Sequence, residues 1–567
     1  MGVPKFFAWL MRKYKNQNFI FEKEKSNDEI VKNIDWLLID TNCLIHPTCF
    51  KILAEESEKP NINFKSLENK MMNAVIEYMD KIVKYADPKK GVYVAIDGPV
   101  CAAKMKQQRQ RRFKAYHDKL FFDKIKVKYN IPETYFWSNS SISPGTKFMQ
   151  KLHLKILDWS KTQQIKVLYS SSNTPGEGEH KLLDFVKTNN KKGKDYSYVT
   201  YGLDADLVFL MLVTKLDNVY LLREAQHFDN SKDDKLNYVS FKIMKDCILD
   251  TFQTYSDNTK LDKIRIVNDF VFLCYFLGND FLPHLHALDI SHNGIELLIK
   301  KYTQTYKEFI IGKTYLQSGE SYLLSEDTLT INQTFLEIFI NKLALDEDAI
   351  LTKNYNKKKY YHYKNEDPYK KELEKIDNLM FKIEDPIHIG SDSNYRFNYY
   401  NYYFGVNEDE IEDFVKELVK NYLIGVRWSA YYYFQEIPDW KWFYPYDYPP
   451  FLSDINKYMI DMNDIKFTKG KAILPLEQLL IILPHHMSFL LPKALSKLTT
   501  NTKSSLAHLY PDDFYVDFLY KHKYFEGIPW LPNMELKQVS YIFNKYKNEL
   551  TPDEKERNRL DDVFKFN

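Results

Sequence analysis

Short runs of apolar residues alternate with longer stretches of helical apolar spacing through the first half of the chain. Strand-length apolar runs cover 34–40, 91–97, 166–170 and a segment that ends in 201–206. Between these runs, the spacing of apolar positions predicts helices over about 66–85, 103–129 and 181–188. Because strands that alternate with helices are typical of an α/β fold, we predict a mostly parallel sheet with flanking helices.

Apolar and aromatic residues become dense again from about residue 402, after a polar stretch with weak periodicity. A chain of 567 residues is too long for one ordinary hydrophobic core. We therefore predict an α/β unit at 1–320, a variable connecting region at 321–400 and a second region at 401–567. The second region is expected to be aromatic-rich and mainly helical, to pack on the α/β unit, and to end in a charged tail.

Carboxylates follow the predicted strands. The acids in these positions are Asp40, Asp97, the pair Glu177 and Glu179, and the pair Asp204 and Asp206. The loops after parallel strands share one edge of a sheet, where ligands usually bind, and two acids spaced i, i+2 point the same way in extended chain. A lone pair of this kind is usually a solvated turn. Acids after four strands instead predict a cluster that needs a cation, and a site built only of carboxylates favours Mg²⁺ or Mn²⁺.

Asp280 follows an almost wholly apolar helix predicted over 264–277. Taken alone, this position favours a cap on the next element over a metal ligand.

A basic segment follows Asp97. Between Lys104 and Lys128 there are ten Lys or Arg residues against two Asp. Such a helix is more often a solvated face than a binding site, but this one begins seven residues after a candidate metal ligand. Guanidinium forks match phosphate oxygens and lysine supplies a point charge, so we interpret four residues as a pocket for a terminal phosphate: Lys104, Gln108, Arg111 and Arg112.

Charge and cysteine usage exclude several classes of protein. The net charge is only +2, so a nucleic acid must be held by local patches. The five cysteines show no Cys-x-x-Cys spacing, which argues against a zinc site and predicts reduced packing residues in an intracellular protein. No apolar run approaches the roughly 18 residues that a transmembrane helix needs, and the first residues lack a secretory core. We therefore expect a soluble protein without membrane association.

The motifs together resemble the Xrn family of 5′→3′ exoribonucleases in residue type, order and spacing. In the first half these are Met1–Phe7, Asp40–His46, Asp97–Gly98, Ala103–Arg112, Ser143–Met149, Gly176–Lys181, Gly202–Asp206 and Leu277–His284. In the second half they are Asp439–Tyr446, Leu474–Leu480 and Leu483–Pro484. The segment after Gly98 and the segment 446–450 depart from the family's pattern, which affects loop shape rather than ligands. The chain also stops where longer relatives continue, so we expect a minimal catalytic core.

The resemblance implies a fold like that of PIN domains and 5′-nucleases, with 1–320 as the catalytic unit and two Mg²⁺ ions, replaceable by Mn²⁺. It implies that the metal-binding catalytic acids are Asp40, Asp97, Glu177, Glu179, Asp204, Asp206 and Asp280, which promotes Asp280 above the cap interpretation. It further implies that Lys104, Gln108, Arg111 and Arg112 bind a 5′-monophosphate. His46 and a tryptophan of the second region, Trp440 or Trp442, would stack on the first bases.

The activity implied is processive hydrolysis of single-stranded, 5′-monophosphorylated RNA to 5′-mononucleotides by a monomer. We expect a cytoplasmic or nuclear location, and the decapping machinery as a partner. One alternative is a structure-specific DNA nuclease of the flap-endonuclease kind, which shares the acidic sheet edge but lacks the basic pocket and the aromatic second region. Another is a non-catalytic RNA-binding scaffold, which the presence of all seven acids disfavours.

Overall fold

The structure is a computed structural model that describes residues 3, 5–22, 29–57, 63–132, 137–224, 235–256, 260–312, 320–327, 330–355 and 364–566. Three residues of the N-terminal motif, Met1, Gly2 and Pro4, lie outside the described residues, as do 313–319, 328–329 and 356–363 in and beside the connecting region.

A mostly parallel sheet organises the first half, which confirms the predicted α/β class. The strands are β1 (Ile20–Phe21), β2 (Trp36–Asp40), β3 (Gly91–Ala95), β4 (Lys166–Ser170), β5 (Tyr198–Tyr201), β6 (Val219–Glu224), β7 (Leu236–Ser240), β8 (Val516–Asp517), β9 (Ile528–Pro529) and β10 (Phe564–Phe566). Within the described chain, eight strands form one sheet in the order β1-β7-β6-β5-β2-β3-β4-β10. The five central strands, β6-β5-β2-β3-β4, are parallel, and antiparallel strands close both edges.

Helices cover both faces of the sheet and build the second half. They are α1 (Phe6–Lys13), α2 (Glu29–Lys32), α3 (Asn42–Ser57), α4 (Phe64–Ala86), α5 (Ala102–Lys128), α6 (Lys147–Thr162), α7 (Gly178–Lys191), α8 (Ala205–Leu212), α9 (Phe241–Tyr255), α10 (Lys263–Cys274), α11 (Gly294–Ile311), α12 (Gln333–Ala344), α13 (Glu347–Tyr355), α14 (Pro368–Asp377), α15 (Tyr395–Phe404), α16 (Ile411–Phe434), α17 (Leu452–Lys457), α18 (Pro475–Ile482), α19 (Lys493–Thr500), α20 (Leu536–Tyr546) and α21 (Pro552–Glu556). Within the described residues, no helix is long and apolar enough to cross a membrane.

Strand β2 is apolar at its first four positions because it lies in the centre of the sheet. All five of its positions are buried, as expected for a central parallel strand covered on both faces. Alternate side chains enter opposite cores: Leu37 and Ile39 pack with α4 and α6, whereas Leu38 packs on the other face with α7 and α8. The strand is thereby fixed in register, and its last residue, Asp40, lies beside Ala95 of β3 at the carboxyl edge of the sheet.

The second region packs on the start of α5, as predicted. The backbone N–H of Val100 donates to Gln478 Oε1 (2.8 Å), and the N–H of Ala102 donates to the carbonyl of Trp440 (2.9 Å). Apolar residues of α18 and α20 share a core with Met105 and Phe113. The described part of 321–400 also adds residues to the main core. The division of the chain at 320 and 400 stays a prediction.

Candidate active site

Both acidic pairs lie at helix N-termini. Glu177 is the N-cap residue of α7 and Glu179 lies in its first turn, while Asp204 and Asp206 occupy the same positions at α8. The expectation that each pair lies in extended chain is wrong, because α7 begins at Gly178 and α8 at Ala205, earlier than the apolar spacing suggests. The exposed backbone N–H groups and the dipole at a helix N-terminus favour carboxylates there.

Asp97 and Asp40 approach the first pair from the neighbouring strands. Asp97 accepts one hydrogen bond from Gly178 N and another from Asn42 Nδ2, both at 2.7 Å. Asp40 Oδ2 accepts from Cys43 Sγ at 3.0 Å. The carboxyl ends of β2 and β3 therefore meet the N-terminus of α7.

All five cysteines are unpaired and four of them are buried, which agrees with their prediction as packing residues.

Asp280 joins the same cluster through Lys104. The adjacent Asn279 performs the local turn instead, since its Oδ1 accepts from Phe281 N and Leu282 N, both at 2.9 Å. Asp280 Oδ2 accepts from Lys104 Nζ at 2.7 Å, and the same ammonium forms an ion pair with Glu177. Lys104 thus pairs with the acids, although Gln108 and Arg111, two of the other residues predicted to bind phosphate, line the same cavity.

Six of the seven predicted acids line one cavity of about 260 Å³, together with Lys104 and His46: Asp40, Asp97, Glu177, Glu179, Asp204 and Asp280. The seventh, Asp206, is not among the described lining residues, but its charge raises the pKa of Glu179. Asp204 is exposed, whereas Asp40, Glu177, Glu179 and Asp206 are each 5% exposed or less.

The charges of three of these acids, Asp40, Glu179 and Asp206, are poorly compensated. Burial, and then the charge of Asp97, raise the pKa of Asp40; burial and Asp206 raise that of Glu179; burial and Asp280 raise that of Asp206. Asp40 Oδ1 and Glu179 Oε2 are buried without a hydrogen-bond partner. Buried acceptors of this kind call for a cation. Because the donors are carboxylate oxygens, the residues fit a hard divalent ion such as Mg²⁺ or Mn²⁺.

A second cavity, of about 150 Å³, lies beside the first and is cationic. Gln108, Arg111 and Arg112 line it together with Tyr116 and Ser143. Arg112 Nη2 donates to Ser143 Oγ at 2.8 Å, while its Nη1 is buried without a partner. Burial, and then the charge of Arg111, lower the pKa of Arg112 to about 9, so it stays a cation at neutral pH. Two adjacent guanidinium groups with an unused buried donor suit a phosphate.

The two cavities share walls. Asn42, His46, Asp97, Gln108 and Arg111 line both of them. Burial and the nearby Arg111 lower the pKa of His46 to about 4, so its imidazole is neutral at physiological pH. An anion bound by the arginines would therefore lie next to the acidic cluster, with a flat neutral ring at the junction.

The two candidate tryptophans differ in their surroundings. Trp442 stacks on Trp428 of α16 with ring centroids 5.2 Å apart. Trp440 is held by its backbone between Ala102 and Lys469, and its side chain, like that of Trp442, is partly buried against the main core. Neither tryptophan is among the described residues that line the two cavities. Their stacking on RNA stays a prediction, for which Trp440 is now the better candidate because Trp442 is engaged elsewhere.

Two tyrosines that contact the acidic cluster were not predicted from the sequence. Tyr432 donates to Glu177 Oε1 at 2.5 Å and Tyr433 donates to Asp206 Oδ1 at 2.6 Å, both from α16 in the second region. The run of three tyrosines at 431–433 was the available signal. Such a run is typical of aromatic residues in a hydrophobic core. Its contact with the acids becomes evident only when the packing partner of the helix is known.

Gly178 lies so close to Asp40 and Ala95 that a substitution at this position tests the placement of the Asp40 carboxylate. A Cβ at this position would lie 2.9 Å from Asp40 Oδ1 and 3.1 Å from the carbonyl of Ala95. We expect Gly178→Ala to displace the Asp40 carboxylate and to lower hydrolysis on the order of 100-fold, the cost of misplacing a reacting group by about 1 Å.

The fold should survive this change, since alanine is a good helix former, and α8 carries Ala205 at the corresponding position. The measurement is single-turnover RNA hydrolysis together with thermal melting. Unchanged hydrolysis in a folded variant would contradict the assignment of Asp40 to the metal site.

Comparison with known proteins agrees with this arrangement. A family model described as the XRN 5′-3′ exonuclease N-terminus matches residues 1–225. A model described as the Xrn1 helical domain matches 260–382 and 363–565. The two matched parts correspond to the sheet with its acidic edge and to the helical region that packs on it.

Named relatives match along nearly the whole chain. Human 5′-3′ exoribonuclease 1 is 28% identical over 99% of this chain, which spans 35% of that protein. The 5′-3′ exoribonuclease 2 of Candida albicans is 27% identical over 98% of the chain, which spans 74% of it. The 5′-3′ exoribonuclease 1 of Saccharomyces cerevisiae is 26% identical over the full chain, which spans 45% of it. With both conserved parts of the family matched, this chain belongs to the Xrn family of 5′→3′ exonucleases.

Proposed function

We propose that this protein is a Mg²⁺-dependent 5′→3′ exoribonuclease that hydrolyses single-stranded RNA with a 5′-monophosphate to 5′-mononucleotides. The observation that carries the proposal is the shared wall between the acidic cavity and the cationic cavity. A terminal phosphate held by Arg111 and Arg112 would bring the first phosphodiester to the acids. Membership of the Xrn family and the names of its relatives support the same activity.

Each group has a distinct role in this proposal. The seven acids would hold two divalent ions, which when bound supply an activated water and stabilise the leaving 3′ oxygen during in-line attack. Arg111, Arg112 and Gln108 would bind the terminal phosphate and so fix the position of the first nucleotide. Lys104, an ammonium among the acids, would limit their mutual repulsion and keep a positive charge beside the substrate.

The new 5′ end that each cleavage leaves explains why a pocket for a 5′-phosphate suits repeated cleavage. Hydrolysis that releases a 5′-mononucleotide leaves a new 5′-monophosphate on the shortened RNA. The same pocket can therefore bind again without release of the strand. A decapping reaction, which exposes a 5′-monophosphate, would supply the substrate.

Stacking would hold the strand in register between steps. Each base stacked on an aromatic ring contributes roughly 1–3 kcal/mol without reading its identity. His46, neutral and at the junction of the cavities, is the proposed inner face, and Trp440 is the proposed outer one. We expect His46→Ala and Trp440→Ala to convert processive digestion into distributive digestion that leaves intermediate lengths.

Single-turnover digestion of a long 5′-monophosphorylated RNA, with a trap for released enzyme, measures this property. Trp530→Ala serves as the comparison, since Trp530 is exposed and is not among the described residues that line either cavity. Full processivity in both the His46 and Trp440 variants would refute the stacking role.

Direction and metal dependence test the function itself. RNA labelled at its 5′ end should release labelled mononucleotide at once in Mg²⁺, whereas RNA labelled at its 3′ end should keep the label until the strand is consumed. EDTA should stop both reactions. Cleavage at the base of a DNA flap would instead favour the structure-specific nuclease, and RNA binding without hydrolysis would favour the scaffold.

A further inference from the structure

Two consecutive tyrosines of α16 reach the acidic cluster from the second region. Tyr432 donates to one oxygen of Glu177 and Tyr433 to one oxygen of Asp206. Both side chains are about 1% exposed. Successive side chains on a helix point about 100° apart, so two neighbouring residues can serve two acids that lie on different helices, α7 and α8.

The ring of Tyr432 is immobilised by its neighbours. It stacks on Trp428 with centroids 5.2 Å apart, contacts Phe281 edge-on at 4.7 Å, and lies 3.9 Å from the His180 ring. Trp428 itself is covered by Trp442 at 5.2 Å. The hydroxyl of Tyr432 is thus held in place by the stacked rings around it.

The ring of Tyr433 is fixed in a comparable way. It stacks on Tyr275 with centroids 5.1 Å apart and meets Phe209 edge-on at 6.3 Å. Its hydroxyl position is therefore set by α10, its following turn and α8, the elements that also flank Asp206 and Asp280.

Among the described residues, two of the acids accept a hydrogen bond from a tyrosine hydroxyl. Glu177 and Asp206, one from each pair, have an oxygen oriented by a tyrosine hydroxyl. Asp40 Oδ1 and Glu179 Oε2 have no such donor. A hydroxyl that binds one carboxylate oxygen fixes the direction of the other oxygen, which is how outer groups orient metal ligands. In Glu177 this other oxygen, Oε2, faces the ammonium of Lys104, a place that a divalent cation could share or take over.

We propose that Tyr432 and Tyr433 are positioning residues that orient Glu177 and Asp206 for divalent metal, so that the helical region completes the metal centre of the α/β unit. This inference rests on the proposed function, since it assigns a role at the same site. It assigns no contact between either tyrosine and the substrate.

Phenylalanine at either position removes the hydroxyl and keeps the ring packing. We expect Tyr432→Phe and Tyr433→Phe each to weaken Mn²⁺ or Mg²⁺ binding by about 10- to 100-fold, the usual loss when a ligand-orienting partner is removed. The Mg²⁺ concentration for half-maximal hydrolysis should rise by a similar factor, and the preference for a 5′-monophosphate should stay the same.

Tyr431→Phe is the matched control. Tyr431 precedes the pair on α16, but its hydroxyl lies 3.4 Å from Arg427 and its ring contacts Phe467, away from the acids. Its metal affinity should equal that of the wild-type protein.

The experiment is calorimetric titration of the whole protein with Mn²⁺, with melting curves in EDTA recorded for each variant. Weaker binding in both phenylalanine variants, at melting temperatures near that of wild type, supports the inference. Wild-type affinity in both variants overturns it, as does weaker binding that appears only where the fold has melted. Failure of the wild-type protein itself to bind Mn²⁺ would instead overturn the proposed function, so the two failures are distinguishable.

Discussion

Replacement of Asp206 by Asn, or of Glu179 by Gln, should lower RNA hydrolysis by about a thousandfold, since a bound metal contributes several kcal/mol to the transition state and each ~1.4 kcal/mol is tenfold. Either change removes the negative charge of a proposed metal ligand while barely changing volume. Both side chains are buried, and Glu179 has a buried oxygen without a hydrogen-bond partner among the described residues. The folded state should tolerate the loss of a poorly compensated charge.

Single-turnover hydrolysis measures the loss, and fluorescence anisotropy in EDTA shows whether RNA is still bound. Asp158→Asn is the matched control, because Asp158 is exposed on α6 and pairs with Lys161 alone among the described ion pairs. Near-normal turnover in either acid variant would show that the cluster is not the metal site.

Replacement of Arg112 by Met should lower activity on 5′-monophosphorylated RNA about 30- to 100-fold, since a lost charged hydrogen bond to phosphate costs roughly 2–3 kcal/mol. Activity on 5′-hydroxyl RNA should change little. The buried, partnerless Nη1 of Arg112 is the donor available to the phosphate. Arg111→Ala should show the same asymmetry.

Steady-state digestion of the two RNAs by each variant gives the ratio directly. Lys124→Ala removes one positive charge from the exposed part of the same helix and should leave the ratio unchanged. Equal losses on both RNAs would mean that the arginines contact the RNA backbone in general rather than its 5′ end.

The strands and the acids that follow them could be predicted from the sequence because both signals are local. The run Trp36–Ile39 is apolar throughout because the strand is buried on both faces, and parallel strands bring their carboxyl ends to one edge wherever the rest of the chain goes. The six acids that follow strands were therefore expected near each other before any contact was known, whereas Asp280, which follows a helix, joined them only through the family resemblance.

Features that depend on packing between distant segments were not predictable in this way. Lys104 was grouped with the arginines of its helix, yet its flexible ammonium turns to Glu177 and Asp280, which lie 73 and 176 positions away. Tyr432 and Tyr433 carry no local signal for metal chemistry. Their hydroxyls become informative only when α16 lies against the acidic edge of the sheet.

In the proposed function, a 5′-monophosphate bound in the cationic cavity would place the first phosphodiester of the RNA beside the acidic cavity. Digestion of three matched RNAs that carry a 5′-monophosphate, a 5′-hydroxyl or a 5′-triphosphate, each in Mg²⁺, tests it most directly. We expect rapid loss of the monophosphorylated RNA, with release of 5′-mononucleotides, and slow loss of the other two. Equal rates on all three ends would contradict it.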